Sequence, residues 1–218
     1  MKKRVVTVLV PVVLILVVIA VALGSRILER YSYSKNKADL REYFHLEQED
    51  EVAMVVQDTI VDEKAKFREG RVYFALSTVE MYFTDRFYAN SLDQVLVFTT
   101  DTDVIQINTG DGSNVMYVSD TAQDLGYKAA FYEGDTLYIA ADYVKRYANF
   151  EYQLFEEPLH MQIYTQWDSY TTAEVSRKTA VRYQGGIKSD ILVELAAGDT
   201  VAVLEELENW SKVKTEDA

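Results

Sequence analysis

The side chains able to do chemistry are few and scattered. Adjacent carboxylates occur at Glu156-Glu157 and Glu205-Glu206. A glycosidase needs two carboxyl groups facing one sugar from about 5–10 Å apart. Neighbouring residues on a strand point to opposite faces, so these pairs read as solvated surface. Asp101, Asp103, Asp111 and Asp120 gather in polar turns but lack the Asp-x-Asp-x-Asp-Gly spacing of a calcium loop. His45 and His160 stand alone, without His-x-His or His-x-x-x-His spacing, which argues against a copper site. The chain has no cysteine, so it can offer no thiolate ligand, disulfide or thiol nucleophile. We therefore expect no catalytic residue, cofactor or metal. The remaining candidates are aromatic. Tyr183 and Trp210 lie in a strand-rich C-terminal region, where exposed rings can stack on a glycan or a peptide. Trp210 has a second and preferred reading, closure of a small core, because large aromatics dominate cores.

Several elements must position these residues. Residues 2–4 are Lys-Lys-Arg, and residues 5–23 carry no charge. As a helix, these 19 residues span roughly 28 Å, close to a bilayer's hydrocarbon thickness. The run is long for a cleaved signal peptide, so an uncleaved transmembrane anchor over residues 1–24 is expected. The short basic tail before it places the N-terminus inside and the rest of the chain outside. Residues 25–50 read as a polar juxtamembrane stalk with a partial apolar face from Leu40, Tyr43, Phe44 and Leu46. The net charge is −13. Acidity on this scale argues for solubility and against nucleic acid as a partner.

One segment occurs twice. Residues 67–82 (FREGRVYFALSTVEMY) and 131–147 (FYEGDTLYIAADYVKRY) align if one residue is inserted after Gly134. Each gives an aromatic, a Glu-Gly turn, an apolar strand with a central tyrosine, and a helix ending in tyrosine. Ser77 with Glu80 has the pattern of a capping box, and Asp142 stands in the column of Ser77. Residues 52–56 and 115–118 look like equivalent strands that open the two copies. The duplicated domain is assigned to residues 51–175. Neither copy has enough core to stand alone, so the two share a sheet or an interface.

Residues 176–218 contain short strands with turns at Gly185-Gly186 and Ala197-Gly198-Asp199, the pattern of a small β-barrel. The expected fold class is α+β, mainly β. Its parts are an N-terminal transmembrane helix, a duplicated strand-helix-strand domain and a C-terminal partial barrel.

The duplicated segment, Glu69-Gly70 to Tyr82 and Glu133-Gly134 to Tyr147, resembles the copper amine oxidase N-terminal-like domain of bacterial surface proteins. That is a non-catalytic stalk domain, and the resemblance implies neither copper nor oxidase activity. The chain departs from the commoner form, which has proline before the helix where Ala75-Leu76 and Ala140-Ala141 stand here. Ala180-Val-Arg182, residues 195–201 and Asn209-Trp-Ser-Lys-Val213 resemble a bacterial SH3-like domain. The closing Gly-x-Ile-Gly-Tyr/Trp-Val of such domains is not found before Ala218, so an incomplete barrel and a fragment are expected. This domain order resembles the front half of exported Firmicutes proteins that continue into a family-18 glycoside hydrolase barrel. The catalytic Asp-x-x-Asp-x-Asp-x-Glu of that barrel does not occur here; Asp101-Thr-Asp103 is its nearest fragment. The resemblance implies a membrane-anchored, extracellular, non-catalytic stalk that binds peptidoglycan or another wall glycan. The alternative is a complete surface adaptor that binds peptidoglycan or a partner protein.

Overall fold

A computed structural model describes residues 2–110, 113–166 and 171–215, with side chains from residue 14 onward. The chain begins with helix α1 (Lys2–Tyr31) and a single-turn helix α2 (Leu40–Tyr43). Then come β1 (Glu51–Val56), β2 (Thr59–Arg68), β3 (Arg71–Ala75) and α3 (Leu76–Tyr82). A run of strands follows: β4 (Phe87–Asn90), β5 (Val95–Thr99), β6 (Val104–Asn108), β7 (Val115–Val118) and β8 (Thr121–Asp124). Next are β9 (Ala130–Glu133), β10 (Thr136–Ala140), α4 (Ala141–Val144), β11 (Glu151–Glu156) and β12 (Leu159–Tyr164). The last strands are β13 (Thr171–Glu174), β14 (Thr179–Arg182), β15 (Ile191–Leu195), β16 (Thr200–Glu206) and β17 (Ser211–Lys214).

Two expectations about the fold are corrected. Among the described residues, no helix is long and apolar enough to cross a membrane. The described apolar side chains of α1 run from Leu14 to Leu23, and the helix then carries Arg26, Glu29 and Arg30. Those charges close the apolar stretch of the described side chains; residues 5–13 of the run lie outside them. The expected transmembrane helix, and with it the single-pass membrane placement, is therefore not supported. Nor is there a closed barrel among the described residues. The C-terminal strands fall into a β14-β15 hairpin and a separate β13-β16-β17 sheet. The fold is mainly β, with a few helices.

The larger of two compact units contains residues 39–173, 200–206 and 212–218. Its centre is a seven-stranded sheet in the order β11-β12-β1-β2-β3-β10-β9. The duplication is visible at the β3–β10 ladder. Phe74 pairs with Ile139, Tyr73 with Ala140 and Ala75 with Tyr138. Phe74 and Ile139 are equivalent residues of the two repeats, so a pseudo-two-fold axis passes between them. The outer ladders obey the same relation: Lys66 faces Tyr73 as Phe131 faces Tyr138, and Arg68 faces Arg71 as Glu133 faces Thr136.

This register removes the inserted residue. The first hairpin turns on Glu69-Gly70, both with positive φ (50° and 76°), as a type I′ turn demands. The second turns on Gly134-Asp135, where Gly134 alone has positive φ (58°). The two turns superpose without a gap, and the shared Glu-Gly is displaced by one position. Glu69 thus sits in a turn, whereas Glu133 ends a strand.

Strand β1 is apolar from Val52 onward because both its faces are covered. Val52 and Met54 join the main core with Phe74, Val79, Ile139, Val144, Met161 and Ile163. Ala53 and Val55 pack on the other face against Phe44 and Leu46, beside α2. The expected stalk face of Leu40, Tyr43, Phe44 and Leu46 is thus a lid on the sheet. Asp39 accepts hydrogen bonds from the amides of Arg41 and Glu42 and starts this turn.

The second sheet, β4-β5-β6-β7-β8, is entirely antiparallel. It buries Phe87, Leu96, Phe98, Ile105, Ile107 and Met116 on one face and leaves Tyr88, Val104 and Tyr117 outside, the alternation of a half-covered sheet. Tyr147, which ends the second repeat, lies 4.3 Å from the Phe98 ring. Residues 115–118 belong to this sheet and not to a counterpart of β1, which corrects their expected role.

The helix caps also differ from expectation. The N-cap positions of α3 and α4 are Ala75 and Ala140, neither making a side-chain bond. Ser77 and Asp142 lie inside the helices. Asp142 binds Arg71 of the first repeat and accepts a 2.6 Å hydrogen bond from Tyr152.

Candidate functional site

Tyr183 and Trp210 belong to the smaller unit, residues 1–38, 174–199 and 207–211. Its frame is the β14–β15 hairpin, in which Thr179 faces Leu195 and Arg182 faces Ile191. A third extended segment lies beside β15. Ser34 N donates to Ile187 O (2.7 Å), Ile191 N to Asn36 O (2.8 Å) and Ala38 N to Ile191 O (2.7 Å). Lys37 forms a parallel bridge with Ile191. Residues 34–38 therefore strap the hairpin edge that would otherwise present unpaired backbone groups.

Arg182 binds the parts together. One guanidinium nitrogen donates to Ser189 O, another to Ser34 O at 3.0 Å. The same group lies 5.6 Å from the centre of the Tyr33 ring. A rigid planar fork of donors suits this task better than a lysine would. The loop after Arg182 is pinned at its base, with Tyr183 N donating to Asp190 O (3.0 Å) and Gln184 N to Ser189 Oγ (2.9 Å). Lys188 Nζ reaches back to Glu29 O at the end of α1.

On this base Tyr183 is 53% exposed, and Tyr31 and Tyr33 are exposed further. Trp210 is half-buried, its indole against Gly185, where an added Cβ would stand 3.3 Å from Cγ. The indole supports the turn two residues beyond Tyr183. The structure thus gathers the two expected residues into one loop region and adds Tyr33, which no local pattern signals. The Arg182–Ser34 bond spans 148 positions.

The other candidates resolve into structural roles. His160 is buried between two rings, stacked on Phe44 at 4.8 Å and Phe155 at 4.7 Å, with Nδ1 2.7 Å from Pro158 O. His45 is exposed at positive φ just after α2. Glu156 and Glu157 do not oppose each other. They share one open groove of about 470 Å³ with Asp39, Leu40, Arg41, Glu49, Pro158 and Leu159, because Glu157 has already entered the turn. Glu205 and Glu206 end β16 and are exposed. Asp103 accepts from Thr102 Oγ1 and Ser119 Oγ, and these bonds hold its carboxyl below the usual range. Asp120 sits in the β7–β8 turn, Asp101 is exposed, and Asp111 lies outside the described residues. Among the described residues no group of three or more acidic and histidine side chains is placed to hold a metal ion.

Among the described residues two lysines are buried. Lys66 donates to Gln48 (2.8 Å) and Asp50 (3.2 Å) and lies 3.6 Å from Glu133. Burial opposes its charge, but the bond to Asp50 and the charges of Asp50 and Glu133 outweigh burial and raise its pKa. Lys214 donates to Gln57 O, lies over the Tyr164 ring at 4.5 Å, and lines a 90 Å³ cavity with Tyr43, Phe44 and Asp58. Burial lowers its pKa despite Asp58. Both tie strands to loops within the larger unit.

No family model matches the chain, and neither a curated protein nor a solved structure matches it.

Proposed function

We propose that the chain is a non-catalytic binding and spacing module that contacts a cell-wall glycan through Tyr183, with Trp210 supporting the loop. The observation that carries this reading is the exposed tyrosine at the base of a loop braced by Arg182, Ser189 and the 34–38 strap. Sugar rings stack on such faces, and a braced loop loses little conformational freedom when it binds. The duplicated sheet of the larger unit suits a spacer, since its repeats meet through core residues and cross-repeat ion pairs. In the exported proteins that the sequence resembles, a region of this kind precedes a family-18 glycoside hydrolase. That resemblance makes a glycan the favoured ligand over a partner protein.

Co-sedimentation with purified peptidoglycan tests the reading. The chain is expected to pellet with it, and Tyr183→Ala to remain largely in the supernatant. Wild-type protein left wholly in the supernatant would overturn glycan binding.

A further inference from the structure

The charges of the chain are divided unevenly between its two units. Lys and Arg outnumber Asp and Glu eleven to six in the smaller unit, against eleven to twenty-nine in the larger. An overall acidic protein therefore carries a unit of net +5 and another of net −18.

Within the smaller unit the cations differ in what they do. Arg182 and Lys188 are bonded to backbone carbonyls, and Lys178 pairs with Glu194 at 3.5 Å. Lys35 and Lys37 are exposed and form no ion pair among the described residues. They are alternate residues of the strap that lies along 187–191. Alternate residues of an extended chain share a face and stand roughly 7 Å apart. Tyr33 precedes them, with the Arg182 guanidinium over its ring, and Tyr183 follows Arg182 at the end of β14, which lies across β15 from the strap. Asp190 is joined to Tyr183 through its backbone oxygen.

From this arrangement we infer that the glycan bound at Tyr183 is anionic, with Tyr33 extending the aromatic surface and Lys35 and Lys37 meeting the polymer's acidic groups. The inference rests on the glycan-binding reading above and adds the charge of the ligand. Two lysines held by backbone pairing of their own strap need little ordering to meet a charged polymer. Tyrosine and lysine also suit single-stranded nucleic acid. The −18 borne by the rest of the chain disfavours so dense a polyanion and tolerates a sugar polymer with sparser charge.

The test compares polygalacturonate with neutral dextran of matched length by affinity electrophoresis, using the full chain. The wild type is expected to prefer polygalacturonate, and the preference to fade with added salt. Lys35→Glu/Lys37→Glu is expected to weaken polygalacturonate binding about tenfold, from the modest worth of exposed charge contacts, and to leave dextran binding unchanged. Tyr183→Ala is expected to weaken both. Equal binding of the two polymers, lost in Tyr183→Ala, would overturn the anionic specificity and leave glycan binding standing. Failure of the wild type to bind either polymer or peptidoglycan would remove both. A single-stranded oligonucleotide that binds more tightly than polygalacturonate, with the same lysine dependence, would also overturn the inference.

Discussion

Arg71 of the first repeat is paired with Asp142 of the second, whose carboxylate also accepts the Tyr152 hydroxyl. The other cross-repeat ion pairs run the same way, from Lys66 and Arg68 to Glu133. Basic residues stand on one copy and acidic ones on the other, at positions where the copies differ. The drift of charge between the repeats thus adds ion pairs to the apolar joint at the β3–β10 ladder. The Arg71–Asp142 pair is partly exposed, 36% and 41%, so solvent screening leaves it worth less than ~1 kcal/mol. Losing the Tyr152 bond adds about 1 kcal/mol. Asp142→Ala is expected to cost about 1–2 kcal/mol in urea unfolding. A double-mutant cycle with Arg71→Ala should show a coupling below ~1 kcal/mol but above zero; no coupling would mean that the pair contributes nothing.

At the pseudo-two-fold axis, Phe74 and Ile139 are fully buried and touch both halves of the core. Phe74→Ala is expected to cost about 3–5 kcal/mol, and Ile139→Val about 0.5–1.5 kcal/mol. Urea midpoints with unchanged m-values would measure both. If the axis is the joint between the repeats, Phe74→Ala unfolds the larger unit in one transition. Separate melting of two halves would contradict that.

The local pattern of residues revealed more of the strands than of their partners. The apolar run of β1 and the alternation in β5 and β6 state which side chains are buried, because a strand's period depends on its own residues. The repeat columns from Val72 to Tyr82 also survive in the structure. Upstream of the turn they do not, since the Glu-Gly match looked like an insertion whereas ladder pairing decides register. Residues 115–118 resemble β1 in composition but pair with β6, a contact set by the intervening turns. The site shows the same limit. Tyr183 could be picked out as a candidate, but the strap that carries Tyr33, Lys35 and Lys37 joins its hairpin only through pairing with residues about 150 positions away.

Alkaline pH should unfold the larger unit. Burial raises the pKa of Tyr73, Tyr127, Tyr138, Tyr143, Tyr152 and Tyr164. Each neutral hydroxyl is favoured by folding, so its contribution is complete below the ordinary value of 10.0 and is lost as pH rises through the folded value. Lys66 behaves alike: its stabilisation is complete below 10.5 and is lost above. Lys214 opposes them, because its lowered pKa makes it costly below the folded value and relieves that cost as pH approaches 10.5. One group against seven leaves a net loss above about pH 10. Tyrosinate absorbance and far-ultraviolet circular dichroism should change together. Free titration of all the tyrosines near their ordinary value, with the fold intact, would contradict the burial argument.

The two hairpin turns give opposite predictions from one rule. Glu69 holds a positive φ of 50° in an exposed turn, a conformation that costs an ordinary L-residue about 1–2 kcal/mol and asparagine less. Asn-Gly is the preferred pair for such a turn. Glu69→Asn is therefore expected to stabilise the protein by about 0.5–1 kcal/mol. Gly134 has a φ of 58° and nothing within 4 Å of an added Cβ, so Gly134→Ala meets no clash and carries the backbone cost alone, about 1–2 kcal/mol. The contrast follows from Glu69-Gly70 turning on two positive φ values and Gly134-Asp135 on one. Asp135→Gly should thus give no comparable gain, since its position does not need that conformation. Thermal melts of the three variants check the set, and a stabilising Asp135→Gly would show that the two turns are of the same type after all.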